Sequence, residues 1–136
     1  NVTSSTNHSV IMRNNTIYYL TANRLYGMNT DNLSITFNVV NSNYLGLSIG
    51  LDDTLYTISG TSKNSITNIS PTDGSELRNL TLSGTINHTI GSDSRGFVWL
   101  IDDTNQTIQL VDIMTDWSII QHNNTVHCSI LLKSEL

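Results

Sequence analysis

Gly50-Leu51-Asp52-Asp53-Thr54-Leu55-Tyr56-Thr57-Ile58, followed by Ile66-Thr67-Asn68-Ile69-Ser70-Pro71-Thr72-Asp73-Gly74, is the stretch that decides the fold. Leu55 to Ile58 and Ile66 to Ile69 are short apolar runs rich in β-branched and aromatic residues, each bounded by Gly, Asp, Asn, Ser or Pro. That pattern predicts short strands joined by tight turns. The runs are too short and too closely punctuated for amphipathic helices.

The arrangement recurs along the chain. One pattern appears as His8-Ser9-Val10, Leu47-Ser48-Ile49, His88-Thr89-Ile90 and Cys128-Ser129-Ile130, at spacings of 39, 41 and 40. A second, Thr30-Asp31, Thr72-Asp73 and Thr115-Asp116, is spaced by 42 and 43 and is followed by Ser34, Ser75 or Ser118. Polar turns at Arg13-Asn14-Asn15, Leu51-Asp52-Asp53 and Ser92 to Gly96 lead into strands at Ile17 to Leu20, Leu55 to Ile58 and Phe97 to Ile101. Further strands follow at Leu25 to Met28, Ile66 to Ile69 and Ile108 to Val111. The last segment of a repeat alternates, Ile35, Phe37 and Val39 against Thr36 and Asn38, as an edge strand with one wet face does. Four strands per repeat predict an all-β chain of propeller-type repeats. The four-stranded antiparallel blades fall near residues 7–44, 45–85 and 86–124, with an orphan inner strand at 125–132. A β-sandwich of similar strand count is the alternative, because periodicity does not distinguish facing sheets from successive blades.

With these residues in place, the chain resembles β-propeller repeat proteins of the quinoprotein-like, NHL and YVTN kinds. Their blades run from a Gly-Asp turn through an apolar Leu-Tyr strand to a strand closed by an Asp-x-x-Thr-Gly type turn. Gly50 to Tyr56 and Ile69 to Gly74 carry the likeness. The resemblance implies blades, yet three blades do not close a ring of four to eight. The array is therefore expected to be partial. It would be completed by a second copy or a continuation of the same chain, or would stack openly into a filament. No cofactor is carried over, because the blade-end Trp of quinoprotein dehydrogenases is missing. Ser92 to Trp99 is loosely similar to the Asp-box turn of sialidases but has Ser94 where that box has Asp, and it lies in a different turn of the blade.

Composition agrees with strands. Ala22 is the one alanine, and Lys, Glu and Gln number two, two and three, against 18 Thr, 15 Ile and 7 Val. Residues that fill exposed helices are scarce. The 136 residues suffice for one domain. Net charge is −5, and Arg13, Arg24, Lys63, Arg78, Arg95 and Lys133 are dispersed, so no basic patch for nucleic acid is expected. No run approaches the roughly 18 apolar residues of a membrane span.

Nine of 17 Asn residues open an Asn-x-Ser/Thr sequon: Asn1, Asn7, Asn14, Asn32, Asn68, Asn79, Asn87, Asn105 and Asn123. With 35 Ser and Thr in the chain, chance gives about four. Charged residues make up only 12%, well below the roughly 25% usual for soluble domains. N-linked glycans would supply the missing hydration, and the expected location is extracellular or at the cell surface. Cys128 has no second cysteine in the chain, so no internal disulfide is possible.

Chemistry is sparse. Asp52-Asp53 and Asp102-Asp103 fall in predicted turns, where Asp caps backbone. Asp31, Asp73 and Asp116 recur in phase, which favours turn structure over catalysis. His122 and His127 lack a zinc-binding pattern, and no G-x-S-x-G elbow occurs. No enzyme activity, metal or cofactor is expected. The sequence reads as a secreted, N-glycosylated structural or adhesive β-repeat protein that self-assembles as filament or ring, or forms part of a larger extracellular propeller. The alternative is a ligand-binding or enzymatic propeller with a site at the channel end, where His8 and His88 are the candidate ligand residues.

Overall fold

The computed structural model describes residues 9–41, 43–86 and 90–123. Among them there is no helix, and strands in simple up-and-down order build three four-stranded antiparallel sheets. The first blade is β1 (Ser9–Arg13), β2 (Thr16–Leu20), β3 (Arg24–Asn29) and β4 (Ile35–Val40). The second is β5 (Leu45–Ile49), β6 (Leu55–Ser59), β7 (Ser65–Ile69) and β8 (Glu76–Thr81). The third is β9 (Gly91–Ser92), β10 (Phe97–Asp102), β11 (Thr107–Asp112) and β12 (Ile119–Asn123). Innermost strands β1, β5 and β9 lie beside one another. Each sheet pairs only strands consecutive in the chain, and apolar side chains fill the space between successive sheets. This is an all-β array of propeller-type blades, and the sandwich alternative is set aside.

The core is divided between two interfaces. Tyr18, Leu20, Leu25 and Phe37 of the first blade meet Tyr44, Leu47, Leu55 and Ile69 of the second. Tyr56, Ile58, Ile66 and Leu82 then meet Val98, Leu100, Val111 and Trp117. The middle blade is covered on both sides, so every residue of β6 and β7 is buried. Outer strands β4 and β8 are largely exposed, as their alternation predicts. Phe37 bridges the first interface because two glycines make room for its ring. A Cβ on Gly27 would lie 2.5 Å from Phe37 Cε1, and one on Gly74 would lie 2.7 Å from Phe37 Cδ2.

Strand pairing corrects the sequence alignment of the repeats. Ile11 faces Tyr18, Ser48 faces Tyr56 and Gly91 faces Trp99 across the first hairpin of each blade. The equivalent positions are thus Ile11, Ser48 and Gly91, two residues away from the alignment of Ser9 and Thr89 with Ser48. The Ser and Thr that match in sequence therefore do not hold the same place in the ladder. Asn14-Asn15 form a two-residue turn with φ of 49° and 58°, as a type I′ hairpin requires. The next turn occupies residues 50–54. In the third blade the inner strand is Gly91–Ser92, just beyond the expected His88-Thr89-Ile90.

The outer turns shift by one residue. Asp73 accepts from the Ser75 amide at 3.0 Å and hydroxyl at 2.7 Å, and Asp116 accepts from the Ser118 amide at 3.0 Å. In the first blade the residue in that role is Asn32, which accepts from the Ser34 amide at 3.0 Å and hydroxyl at 2.7 Å. Asp31 instead accepts from Asn15 Nδ2. Between cap and serine sits a residue in the left-handed region: Leu33 (φ 59°), Gly74 (φ 76°) and Trp117 (φ 61°). The repeating unit is therefore Asx-x-Ser, a side-chain mimic of a backbone turn. The Ser75 hydroxyl and amide hold the Asp73 carboxyl below the usual aspartate value, and the Ser118 amide and hydroxyl do the same for Asp116.

Because the middle blade carries both interfaces, Leu55→Ala, at a side chain with no exposed surface, should destabilise the chain by about 2–5 kcal/mol. Val10→Ala, on the open face of the first blade, should change stability by less than about 0.5 kcal/mol. Urea unfolding followed by circular dichroism measures both.

Candidate functional site

The inner strands converge on an axis, and their hydroxyls tie the blades together. Ser9 Oγ accepts from the Leu47 amide at 3.2 Å. Ser92 Oγ donates to the Ile49 carbonyl at 2.6 Å, which leaves Ser48 as donor in its 2.8 Å bond to Ser92. At the end where the first hairpin turns emerge, all three blades line a shallow depression of about 310 Å³. Its walls are Arg13, Ile49, Gly50, Leu51, Ser92, Asp93 and Ser94. Arg13 reaches across the blades to Asp53, Nη2 to Oδ1 at 2.6 Å, with both side chains well exposed. The sequence reading places its ligand site at the opposite end, where the inner strands begin, with His8 and His88.

The carboxylates around it are occupied in structure. Asp52 Oδ2 accepts from the Tyr56 hydroxyl at 2.6 Å, and Asp52 Oδ1 accepts from the Thr54 amide at 3.2 Å. Asp93 plays the equivalent part in the third blade: Oδ2 accepts from Trp99 Nε1 at 2.7 Å and from the Arg95 guanidinium, while Oδ1 accepts from the Arg95 and Phe97 amides. Burial raises the Asp93 pKa, but the bonds from Trp99, Arg95 and Phe97 outweigh it and hold the carboxyl at about 2. A carboxylate so committed is a poor proton acceptor at neutral pH. In both blades the aspartate anchors the polar tip of an aromatic ring; Tyr56 turns its apolar face to the third blade, and Trp99 lines an apolar depression. The order Asp, then an aromatic at the start of the next strand, is visible in the sequence; the bond across the turn is not.

A second polar group, read from the sequence only as a turn cap, lies at the opposite end of β10. Asp102 is fully buried and accepts from the Asn105 amide at 3.1 Å, Asn105 Nδ2 at 2.8 Å and Gln109 Nε2 at 2.9 Å. Gly84 makes the space, since a Cβ there would lie 2.2 Å from both carboxylate oxygens. The expected turn cap is present, and it is also a buried tie. Among the described residues no three His, Cys, Asp or Glu side chains gather as metal ligands, and no helix is long and apolar enough to cross a membrane.

The sequon residues divide by environment. Asn14 and Asn32 are exposed in turns. Asn79 is exposed on β8, with Nδ2 donating to Thr67 Oγ1 at 2.8 Å, and Asn105 is exposed with Nδ2 donating to Asp102. Asn123 is the last residue of β12. Asn68 departs from the surface role read from its sequon: it is 7% exposed, and Nδ2, the atom a glycan needs, donates to Thr54 Oγ1 at 2.6 Å and the Leu55 carbonyl at 3.0 Å. Nothing in the local motif distinguishes it from the others; burial on the middle blade does. Asn1, Asn7, Asn87, His8, His88, Cys128 and the strand expected at 125–132 lie outside the described residues.

Comparison with known proteins matches this geometry to propellers. A streptogramin B lyase structure superimposes with a TM-score of 0.69 at 19% identity, covering 86% of this chain and 40% of that one. BamB from Moraxella catarrhalis gives 0.67 at 13% identity, with coverages of 85% and 34%. The WD40 domain of Neurospora crassa Pan2 gives 0.65 at 12%, with 84% and 35%. The chain spans well under half the length of each. No protein-family profile matches the chain, and no curated protein does. Similarity at these identities establishes the fold, a partial propeller of four-stranded antiparallel blades.

The Asp93 anchor has a defined pH dependence. An aspartate lowered from 3.8 to about 2 on folding stabilises the folded state fully above the unfolded value, and that contribution is lost as pH falls through about 2. The stability difference between the natural chain and Asp93→Asn should stay constant above about pH 5 and shrink from there towards pH 2. Urea midpoints of both proteins across that range measure it.

Proposed function

We propose that this chain is a secreted or cell-surface, N-glycosylated structural module of a propeller, which works by the association of blades and not by catalysis. One observation carries the reading: the array is apolar at both ends. Val10 and Met12 on the outer face of the first blade are each 68% exposed, and Val40 is 71% exposed at its outer edge. On the outer face of the third blade Ile101 and Ile120 are each 44% exposed. Apolar side chains so exposed on the face of a sheet are available for contact with another blade. Two further features support the reading. Every described carboxylate at the axis is engaged in turn or ion-pair structure, and four sequon side chains are exposed. A surface with few charges and many hydroxyls fits a glycosylated extracellular protein whose contacts are adhesive or assembling.

Expression through a eukaryotic secretory pathway, followed by intact-mass measurement before and after enzymatic removal of N-glycans, tests the compartment and the glycans. Asn14→Gln and Asn32→Gln should each remove the mass of one glycan. Asn68→Gln should remove none and should cost about 1–3 kcal/mol, because two buried acceptors lose their donor. A secreted product with no glycan mass overturns the glycoprotein reading. A natural chain that stays monomeric overturns self-association.

A further inference from the structure

We infer that the open face of the first blade seats the open face of the third blade of a second copy, head to tail, through the interface the chain already makes twice within itself. The inference deepens the self-association reading above and rests on it.

Strand register carries the argument. Met12 faces Ile17 on the first hairpin as Ile49 faces Leu55 on the second. Val10 precedes Met12, and Leu47 precedes Ile49, by two residues, and so each shares its neighbour's side of the strand. In the middle blade these positions are interface: Leu47 is buried and Ile49 packs against the core that the first two blades share. In the first blade the same positions, Val10 and Met12, project into solvent. The next strand repeats the relation. Leu55 and Thr57 have no exposed surface, whereas their counterparts Ile17 and Tyr19 are only partly covered. Tyr19 stacks on Tyr26 of β3 with ring centroids 4.6 Å apart, which makes this face flat and aromatic. The first blade thus presents the half of a blade-to-blade interface that the middle blade keeps buried.

The third blade presents the other half. Trp99 occupies the position of Tyr56, each facing the inner strand at the equivalent residue, Gly91 or Ser48. Tyr56 is fully buried against the following blade, its ring 5.7 Å from that of Trp117. Among the described residues no further blade covers Trp99. With Ile90, Gly91, Leu100, Ile101 and Ile108 it lines an apolar depression of about 280 Å³. Gly91 brings no side chain to it, and a Cβ there would meet nothing within 4 Å. Protruding Val10 and Met12 at one end and a hollow beside the inner strand at the other are complementary. One chain bears both halves, so a second copy offers each half its complement, and because the halves differ the contact is heterologous. Two copies contribute six blades, within the range of closed propellers. If the rotation per blade does not close, the same contact continues into a filament.

Met12→Asp and Ile101→Asp alter opposite faces at exposed positions, so circular dichroism should show both folded. In sedimentation velocity the natural chain should associate, and each variant alone should lose roughly tenfold or more in association constant, because a carboxylate must be buried at the contact. Mixed together, the two variants should recover a one-to-one complex, since each retains the face that the other lacks. The double variant should rescue neither. Association of either single variant at the strength of the natural chain, or failure of the mixture to recover, overturns the head-to-tail contact while leaving self-association in place. A natural chain that remains monomeric overturns both readings and assigns the faces to other blades.

Discussion

A four-stranded sheet that carries apolar side chains on both faces cannot bury them by itself, and in this chain each blade does so only by stacking on the next. Leu55 and Ile69 point into one interface while Tyr56, Ile58 and Ile66 point into the other, so the middle blade's stability is shared with both neighbours. The hydrophobic contribution is on the order of 1.5–3 kcal/mol for each large side chain so buried. β6 and β7 carry Thr, Ser and Asn in their interiors with partners close by, as Thr57 Oγ1 with the Gly46 carbonyl, Ser59 with Thr67, and Asn68 Nδ2 with the Leu55 carbonyl.

Turn chemistry supplies what packing cannot, namely the exact return of each strand to its partner. Asx-x-Ser caps close all three outer hairpins, and the left-handed middle residue is Leu, Gly or Trp. The strain at Leu33 and Trp117 is offset differently. Trp117 is buried against Tyr56 and beneath the Arg78 guanidinium, 4.4 Å from the ring centroid. Leu33 is exposed, and the capping bonds of Asn32 hold its turn. At the first hairpins, Asp52 and Asp93 fix an aromatic residue by its polar tip, and the Tyr56 ring is thereby aimed at the third blade. Electrostatics here serves orientation, and the axis ends in a shallow polar depression bordered by an exposed ion pair.

Strand composition, turn residues and repeat period are local properties, and they were legible without coordinates. The short runs at Leu55 to Ile58 and Ile66 to Ile69, the alternating outer strand at 35–39 and the recurrence near forty residues sufficed for an all-β array of blades. What the repeats share in three dimensions was less legible. The matching Ser and Thr of the inner strands lie two residues from the positions that the ladder makes equivalent, and Asp31 drew the outer-turn alignment one residue away from Asn32. A sequence comparison sees matching letters, whereas the ladder of hydrogen bonds sets the equivalence.

By itself, then, the sequence determined which segments are strands and where the chain turns, because both follow from side-chain shape and from short-range bonds such as Asp73 to Ser75. Only the tertiary structure decided which side of each strand is covered. Asn68 and Asn32 stand in the same kind of motif, yet one donates to Thr54 and Leu55 inside the middle blade and the other lies in an exposed turn. Val10 and Leu47 are likewise similar side chains at equivalent places, one in solvent and one in the core. Burial depends on what the neighbouring blade brings to the contact, and that is a property of residues some forty positions away in the chain.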